Sequence, residues 1–501
     1  MIRVSLARTQ PDYEGLAPPF GPGKPYPELG ALLGSDAERG GPNHVYAAVR
    51  AALAGLGLDA RRFGGADWNP LGALVARGGS VVLKPNFIRH WNPNPAGTPL
   101  SVVTHGSVLR AVADYAFLAV GPGGSVTIAE APQHDCDWES IRVLVGLAEL
   151  ERFYGSRLGA ELAVVDLRRE AVVYRDGTIV ERRSLPGDPL GYRLLDLGAR
   201  SHFHGAGLDP RRYRGADYDP VPTTEHHAGG RNAYLLAETV LRADLVVNLP
   251  KLKTHKKTGV TLALKNLVGM SGDKNLLPHH CVGPVSAGGD EYPGEGWLDR
   301  GRSLAAELAR GLLTRGRATG LVRAARRAEG ALRGDAFVRA GNWHGNRTTW
   351  RMCLDLNRCL YYSDARGEHL DASAPVRRVL SLLDGVVAGE GEGPLAPRDR
   401  PLGALLASLD PVALDLLAIR LMGFDEERIP KVREAMADRE LRVTAVSASQ
   451  DVEVAEVAED GTPLRSADLE AFRAGESFLA HPGWRGHLER PRAVAGAGGQ
   501  R

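Results

Sequence analysis

The sequence predicts an α/β fold: a mainly parallel sheet with helices on both faces, plus a small inserted β/loop region and a helical insertion. Two observations predict it. Short, uninterrupted apolar runs alternate with stretches of helical periodicity, the pattern of strands buried on both faces. These runs also end in ionisable or amide side chains, at Lys84-Pro85-Asn86, Glu130, Asp166, Asn248 with Lys251, Asp384 and Asp410. Ligands of such sheets bind beyond the carboxyl ends of the strands, so this edge is where a site is expected. Asp166 and Asp410 also suit capping of a following helix.

Residues 1–42 read as a Pro/Gly-rich, loosely structured lead-in. Residues 43–450 read as the core, with insertions at about 168–228 and 278–347, and 451–501 as a C-terminal extension with a disordered tail from about Gly483. Within the core, Asn43–Leu56 has helical spacing of Val45, Ala48, Val49, Ala52 and Leu53. SVVLKPN (80–86) is a strand, and Thr104–Val120 an amphipathic helix with Thr104 as its N-cap. SVTIAEAP (125–132) is the next strand, Trp138–Phe153 a helix, and ELAVVDL (161–167) a strand. Tyr234–Arg242 reads as a helix feeding the strand DLVVNLPK (244–251), and 278–296 as a loop by its Gly and Pro content. Residues 301–335 read as helical with an Arg-studded face, followed by helices at Thr348–Tyr361, Pro375–Leu383 and Pro411–Met422; LRVTAVSA (441–448) is a candidate last strand.

A formal net charge of +2 does not suit a chain-wide nucleic-acid binder, so no nucleic-acid partner is expected. The start of the chain offers no apolar core for a signal peptide, and charged residues interrupt the longest apolar windows, so no transmembrane segment is expected. Cys136, Cys281, Cys353 and Cys359 are widely scattered, which speaks against a disulfide framework, a zinc ribbon or an iron–sulfur cluster. A cytoplasmic location follows as the expectation. The Arg-rich 301–335 region suits contact with a membrane surface or acidic partner, or an ordinary solvated face.

Basic character is local. Arginine carries most positive charge, yet six of nine lysines fall in residues 244–275: Lys251, Lys253, Lys256, Lys257, Lys265 and Lys274. A compact ammonium with a tunable pKa suits phosphate contact or proton transfer. If Thr258–Val268 is a helix, its start follows Lys256 and Lys257, and cations are disfavoured there unless an anion sits between them and the free N–H groups. Lys265, one to two turns along, is too deep for a free surface charge and implies a buried partner. Lys84, Asn86, Lys251, Lys253, Lys256 and Asn266 are the candidate binding residues, with His255, Lys265 and Glu130 as candidate catalytic groups.

Other constellations carry two readings each. Glu130, His134 and Asp135 past one strand end, with Asp384, could ligate a divalent metal, although loop His and Asp also serve as caps. AGEGEGP (388–394) is a turn, a loop closing on the site, or, through Glu390, a Mg²⁺ contact. His279 and His280, like His226 and His227, are candidate bases or ligands. Asn342, Trp343, His344 and Asn346 suit a planar ligand or plain helix capping. SVVLKPNFIRH (80–90) and DLVVNLPKLKTH (244–255) echo one another, with His90 and His255 each five residues after a proline; two equivalent loops at one cleft, or chance, explain this.

SVVLKPN, TIAEAP, ADLVVNLPKLKTHKKTGVTLALKNLVG, LLDGVVAGEGEGP and LLASLDPVALDLLAIRLMG, in that order, resemble domain-of-unknown-function family 362 over roughly residues 75–430. The resemblance implies no general activity. Relatives with a ferredoxin-like four-iron module imply redox roles for those members, and this chain departs from them in lacking clustered cysteines. The GDKNLLPHH and GNWHGN variant resembles a subset associated with surface-polysaccharide gene neighbourhoods. Three functional readings follow. One is an enzyme binding an anionic small molecule, phosphorylated, carboxylated or a nucleotide sugar. The second is a redox protein using an external iron–sulfur partner. The third is a non-catalytic anion-binding or scaffold protein.

Overall fold

The computed structural model describes residues 1–175, 178–215, 219–294, 297–314, 320, 340–364, 374–472 and 476–490. Its strands in chain order begin with β1 (Ile2–Arg8), β2 (Ser80–Lys84), β3 (Ser125–Glu130) and β4 (Leu162–Asp166). The region after β4 contributes β5 (Glu170–Arg175), β6 (Thr178–Ser184), β7 (Tyr192–Asp196) and β8 (Tyr213–Arg214). Then come β9 (Ala233–Ala237), β10 (Leu245–Asn248), β11 (Lys251–His255), β12 (Gly259–Val260) and β13 (His280–Cys281). The long strands β14 (Arg378–Glu392) and β15 (Ala396–Ser408) precede β16 (Val452–Val457) and β17 (Pro463–Asp468).

Eleven strands form one sheet in the order β17-β16-β1-β15-β14-β10-β2-β3-β4, with β11 beside the second half of β14 and β12 beside β11. From β14 through β10, β2 and β3 to β4 the strands are parallel. From β2 the chain winds one way, through the helix Gly106–Val120 to β3 and through Trp138–Leu144 and Leu147–Phe153 to β4, and later returns to β10 on the other side of β2. The direction reverses between β2 and β10, which opens a crevice at their carboxyl ends.

Alternation along the strands feeds two cores. Val81, Leu83 and Val247 meet Val49, Leu53, Val108 and Val112 of the helices His44–Gly55 and Gly106–Val120. Val82 and Val246 meet Leu264, Leu356, Leu414 and Leu417 of Leu262–Asn266, Thr349–Tyr362 and Pro411–Leu421 on the opposite face. Asp410 caps the last of these through Val412 N and Ala413 N. No described helix is long and apolar enough to cross a membrane.

Several local expectations are corrected. The lead-in contributes β1, which lies between β15 and β16. Thr104 is no cap: its hydroxyl donates to Leu249 O (2.7 Å) and accepts from Asn86 N (2.9 Å), while His105 caps through Nδ1. The helix expected at 138–153 is broken at Gly146, which has φ +66°. Residues 233–237 form β9, paired with β7, instead of a helix. The helix expected at 375–383 is the start of β14, whose apolar run is unbroken because both faces are buried. AGEGEGP lies on β14 and the turn after it: Gly389 faces Lys253 on β11, and a Cβ there would lie 3.0 Å from Lys253 Cβ and 2.9 Å from Pro397 Cβ. Residues 441–448 form no strand; they wrap Asp410, which accepts from Thr444 Oγ1 and Ala445 N. Residues 483–490 are folded, with Trp484 buried, and 491–501 lie outside the described residues. Of the Arg-rich region, the helix Trp297–Thr314 is described, and 315–319 and 321–335 are not.

Candidate functional site

A cavity of about 410 Å³ lies beyond the carboxyl ends of β2 and β3, walled by the stretch from His255 to His280. Of two buried ion pairs at the neighbouring strand ends, Glu130 is the residue that lines the cavity, and Lys84, Lys251 and Asp384 do not. Lys84 pairs with Glu130 and donates to Pro85 O at 2.7 Å. Lys251 lies 2.9 Å from Asp384, which also accepts from Tyr13 Oη (2.6 Å) and His105 N (3.0 Å). Burial pushes both ammonium groups down and the Glu130 carboxyl up, and the attraction within each pair opposes those shifts.

An amide relay crosses the strand ends. Lys253 donates to Asn86 Oδ1 (2.9 Å) and to Val102 O; Asn86 Nδ2 donates to Asn266 Oδ1 (2.7 Å), and Asn266 Nδ2 to Asn248 Oδ1 (2.8 Å). The lysine at one end can only donate, which fixes the orientation of each amide. Asn86 and Asn266 are thereby locked at the cavity wall.

The remaining wall is cationic. Lys274 donates to Val268 O (3.0 Å) and Ser271 O (3.1 Å), and Lys257 to Ala340 O. Burial lowers both ammonium groups to about 7. Lys256 lines the cavity beside them. Lys265 lines it too, 8% exposed, with no hydrogen bond or ion pair among the described residues. The depth expected for Lys265 is there; the protein partner is not.

Two histidines face the cavity in complementary states. His255 Nδ1 accepts from Lys257 N (3.0 Å) and Thr258 N (3.3 Å), which places its proton on Nε2 as a donor. His279 Nδ1 donates to Leu277 O (2.8 Å), which leaves a lone pair on Nε2. Burial, followed by the charge of Lys265, holds His255 well below its ordinary range and takes His279 to about 3. Both are neutral at neutral pH.

The helix that was to carry the lysines is shorter. Residues 259–260 form β12, and the helix Leu262–Asn266 starts at a residue with φ +53°. Its N-terminal N–H groups are met by a built-in anion: Asp415 accepts from Ala263 N (2.7 Å) and Leu264 N (3.4 Å) and pairs with Lys431 at 2.9 Å. A ligand anion is therefore not needed at that helix start. The sequence reading missed Asp415 and Lys431, which cap that helix, and Tyr13 and His105, which hold Asp384, because each comes from a distant element.

Other expected residues disperse. Glu130 and His134 line the cavity, but Asp135 pairs with Arg89 (2.9 Å), and Asp384 is held by Lys251. Among the described residues no three His, Cys, Asp or Glu side chains converge to hold a metal ion. Glu390 pairs with Arg398 (2.9 Å) and accepts from Leu479 N (3.0 Å). His226 and His227 bond the carbonyls of Pro222 and Leu276. Asn346 caps Thr349 N, Trp343 Nε1 donates to Asp290 O, and His344 stacks on His487 at 4.1 Å, while Asn342 lines the cavity. His280 lines it as well, with Nε2 unpaired among the described residues. β2 and β10 are parallel neighbours, but His90 turns away from His255 to accept from Asp137 N (3.0 Å). All four cysteines are buried and free, and burial pushes the Cys136 and Cys281 thiols up to about 12.

The family model described as "Domain of unknown function (DUF362)" matches residues 193–420. A thylakoid-associated protein of Synechocystis sp. is 26% identical over 200 residues, which are 40% of this chain and 39% of that protein. The match thus spans about two fifths of the relative's length. No solved structure matches the chain.

Proposed function

Residues 193–420 match the model of the DUF362 family, and from that match we propose that the chain is a cytoplasmic enzyme whose cavity binds a small phosphorylated or carboxylated molecule. One observation carries this reading: Lys265 is a buried cation facing the cavity with no partner among the described residues. Burying an unpaired ammonium costs several kcal/mol. A protein keeps such a group where something else supplies the missing anion, and a bound phosphate or carboxylate does so. Lys274, His255 Nε2–H and the second Nδ2–H of Asn86 add donors around it. The pairing of His255 as donor with His279 as acceptor suits proton transfer on the bound molecule. Glu130, engaged by Lys84, serves this reading by fixing the base of the cavity. Four buried free thiols suit a reducing compartment.

Thermal-shift titration tests the reading. Inorganic phosphate, sugar phosphates, nucleotide sugars and small carboxylates should include ligands that raise the melting temperature of the wild type, since a native-state ligand stabilises by RT ln(1 + [L]/Kd). Lys265→Met should lose the shift. If no anion outperforms chloride, or if the variant responds like the wild type, the reading is wrong. Turnover of the stabilising ligand then separates an enzyme from a protein that only binds.

A further inference from the structure

The amines of the site are not equivalent. Lys84 and Lys251 each hold a carboxylate, and Lys253, Lys257 and Lys274 donate to amide or carbonyl oxygens. Lys265 does neither, although it is more than nine-tenths buried and lines the cavity. Its surroundings are cationic: its charge weighs on Lys84, Lys253, Lys274, His255 and His279. Ile88, Ala131, Pro132 and Val268 supply apolar wall to the same cavity. A buried ammonium without a carboxylate partner gives up its proton more readily than an ordinary lysine, and the neutral fraction is the nucleophile. Burial pushes Lys265 below the ordinary lysine range, with Lys431 adding to the shift and Cys353 and Glu130 opposing it.

We propose that Lys265 is a covalent nucleophile whose Nζ forms an imine with an aldehyde or ketone bearing a phosphate or carboxylate group. The proposal rests on the anion-binding reading, because the anionic group is what would draw the carbonyl compound into a cavity walled by Lys274 and His255. In the first step the Nζ lone pair attacks the carbonyl carbon, a C–N bond forms, and the C=O pair moves to oxygen. The nitrogen releases a proton and the oxygen gains one, giving a neutral carbinolamine. The hydroxyl then leaves as water while C=N forms. His279 Nε2, an acceptor, suits relaying each nitrogen proton in turn to the oxygen, the first giving the hydroxyl and the second letting it leave as water, while the neutral His255 ring suits a hydrogen bond from Nε2–H to that oxygen. No oxidant or metal enters the balance.

Borohydride trapping tests it on the full chain. The protein is incubated with glyoxylate, pyruvate or glyceraldehyde 3-phosphate, reduced with sodium borohydride, and mapped by peptide mass. At least one probe should leave a single reduced adduct on the Lys265 peptide. The adduct should be suppressed by inorganic phosphate and absent from Lys265→Arg and Lys265→Met, each first shown to be folded by its melting curve. Lys24, the one exposed lysine, is the internal control for adventitious labelling. Wild type that is stabilised by the probes but carries no adduct on Lys265 overturns the imine and leaves the anion-binding reading standing. Neither stabilisation nor adduct overturns both. Equal labelling of Lys24 and Lys265, insensitive to phosphate, also overturns the imine.

Discussion

Lys84 and Lys265 differ in whether an opposite charge depends on them. Lys84→Met leaves the Glu130 carboxylate buried and uncompensated, and should cost about 3–5 kcal/mol in urea denaturation. Lys265→Met leaves nothing behind, and removing an unpaired buried ammonium should stabilise the apo protein by about 1–3 kcal/mol while abolishing its response to anions. A destabilised Lys265→Met would mean that the amine has a protein partner after all. The pH dependence follows from the same burial. Lys257 and Lys274 stand at about 7 in the fold against an ordinary 10.5, so between those values the unfolded chain binds more protons and stability rises with pH. That gain is complete above 10.5 and gone below about 7. His134 and His279, at about 3 against 6.5, give a second window in which stability falls as pH drops from 6.5 toward 3. Urea midpoints should therefore be higher at pH 9 than at pH 7, and lower at pH 5; a flat profile would count against neutral buried amines and imidazoles. At this scale the sequence was legible through a single contrast. Most arginines lie nearer the surface, although Arg50, Arg110, Arg168, Arg214, Arg358 and Arg420 are buried, whereas Lys84, Lys251, Lys253, Lys257, Lys265, Lys274 and Lys431 are all buried. Which of them would be left without a partner depended on Glu130, Asp384 and Asp415, and no spacing in the chain encodes those pairings.

Among the elements, the turn Leu267–Met270 fits the base of the cavity because residue 269 has no side chain. A Cβ at Gly269 would overlap Glu130 Oε1 and sit 2.5 Å from Lys84 Nζ and 2.7 Å from Glu130 Cδ. Gly269 O also accepts from Ala131 N at 2.8 Å, so the backbone has little room to retreat. Gly269→Ala should push the ion pair apart and cost at least about 3 kcal/mol in chemical denaturation, with anion binding lost. Wild-type stability in that variant would show the pair to be mobile. Strands β2, β3, β4 and β10 were legible because each is a short apolar run ending in a polar residue. β14 was not: buried on both sides, it lacks the alternation of a half-buried strand, and Pro375 just ahead of it reads equally well as a helix start. The helix expected from Thr258 failed for a different reason. Lys253 O accepts from Thr261 N at 2.9 Å, so the chain returns along β11 before it can coil, and coiling begins only once Asp415 supplies the cap.

At the scale of the whole molecule, the C-terminal segment braces the lysine stretch without lining the cavity. Leu479 O accepts from Gly391 N at 2.6 Å, and Trp484 Nε1 donates to Lys256 O at 2.9 Å, so residues 476–490 tie β14 to the lysine stretch. Trp484 is 1% exposed, and Trp484→Ala should cost about 3–5 kcal/mol. It should also weaken anion binding, read by the same thermal-shift titration; unchanged affinity would make the segment a bystander. A Pro/Gly-rich tail gives no local sign of this, since its order comes from partners far back in the chain. The Lys251–Asp384 pair has a similar reach, with consequences for how the protein is made. On a ribosome, Lys251 emerges well before Asp384 exists to neutralise it, and β10 waits for β14 with one edge bare. A nascent chain halted between the two exposes an unpaired strand and an unanswered charge, which makes it a client for chaperones. Refolding from denaturant should be correspondingly slow, because these contacts join residues far apart in sequence.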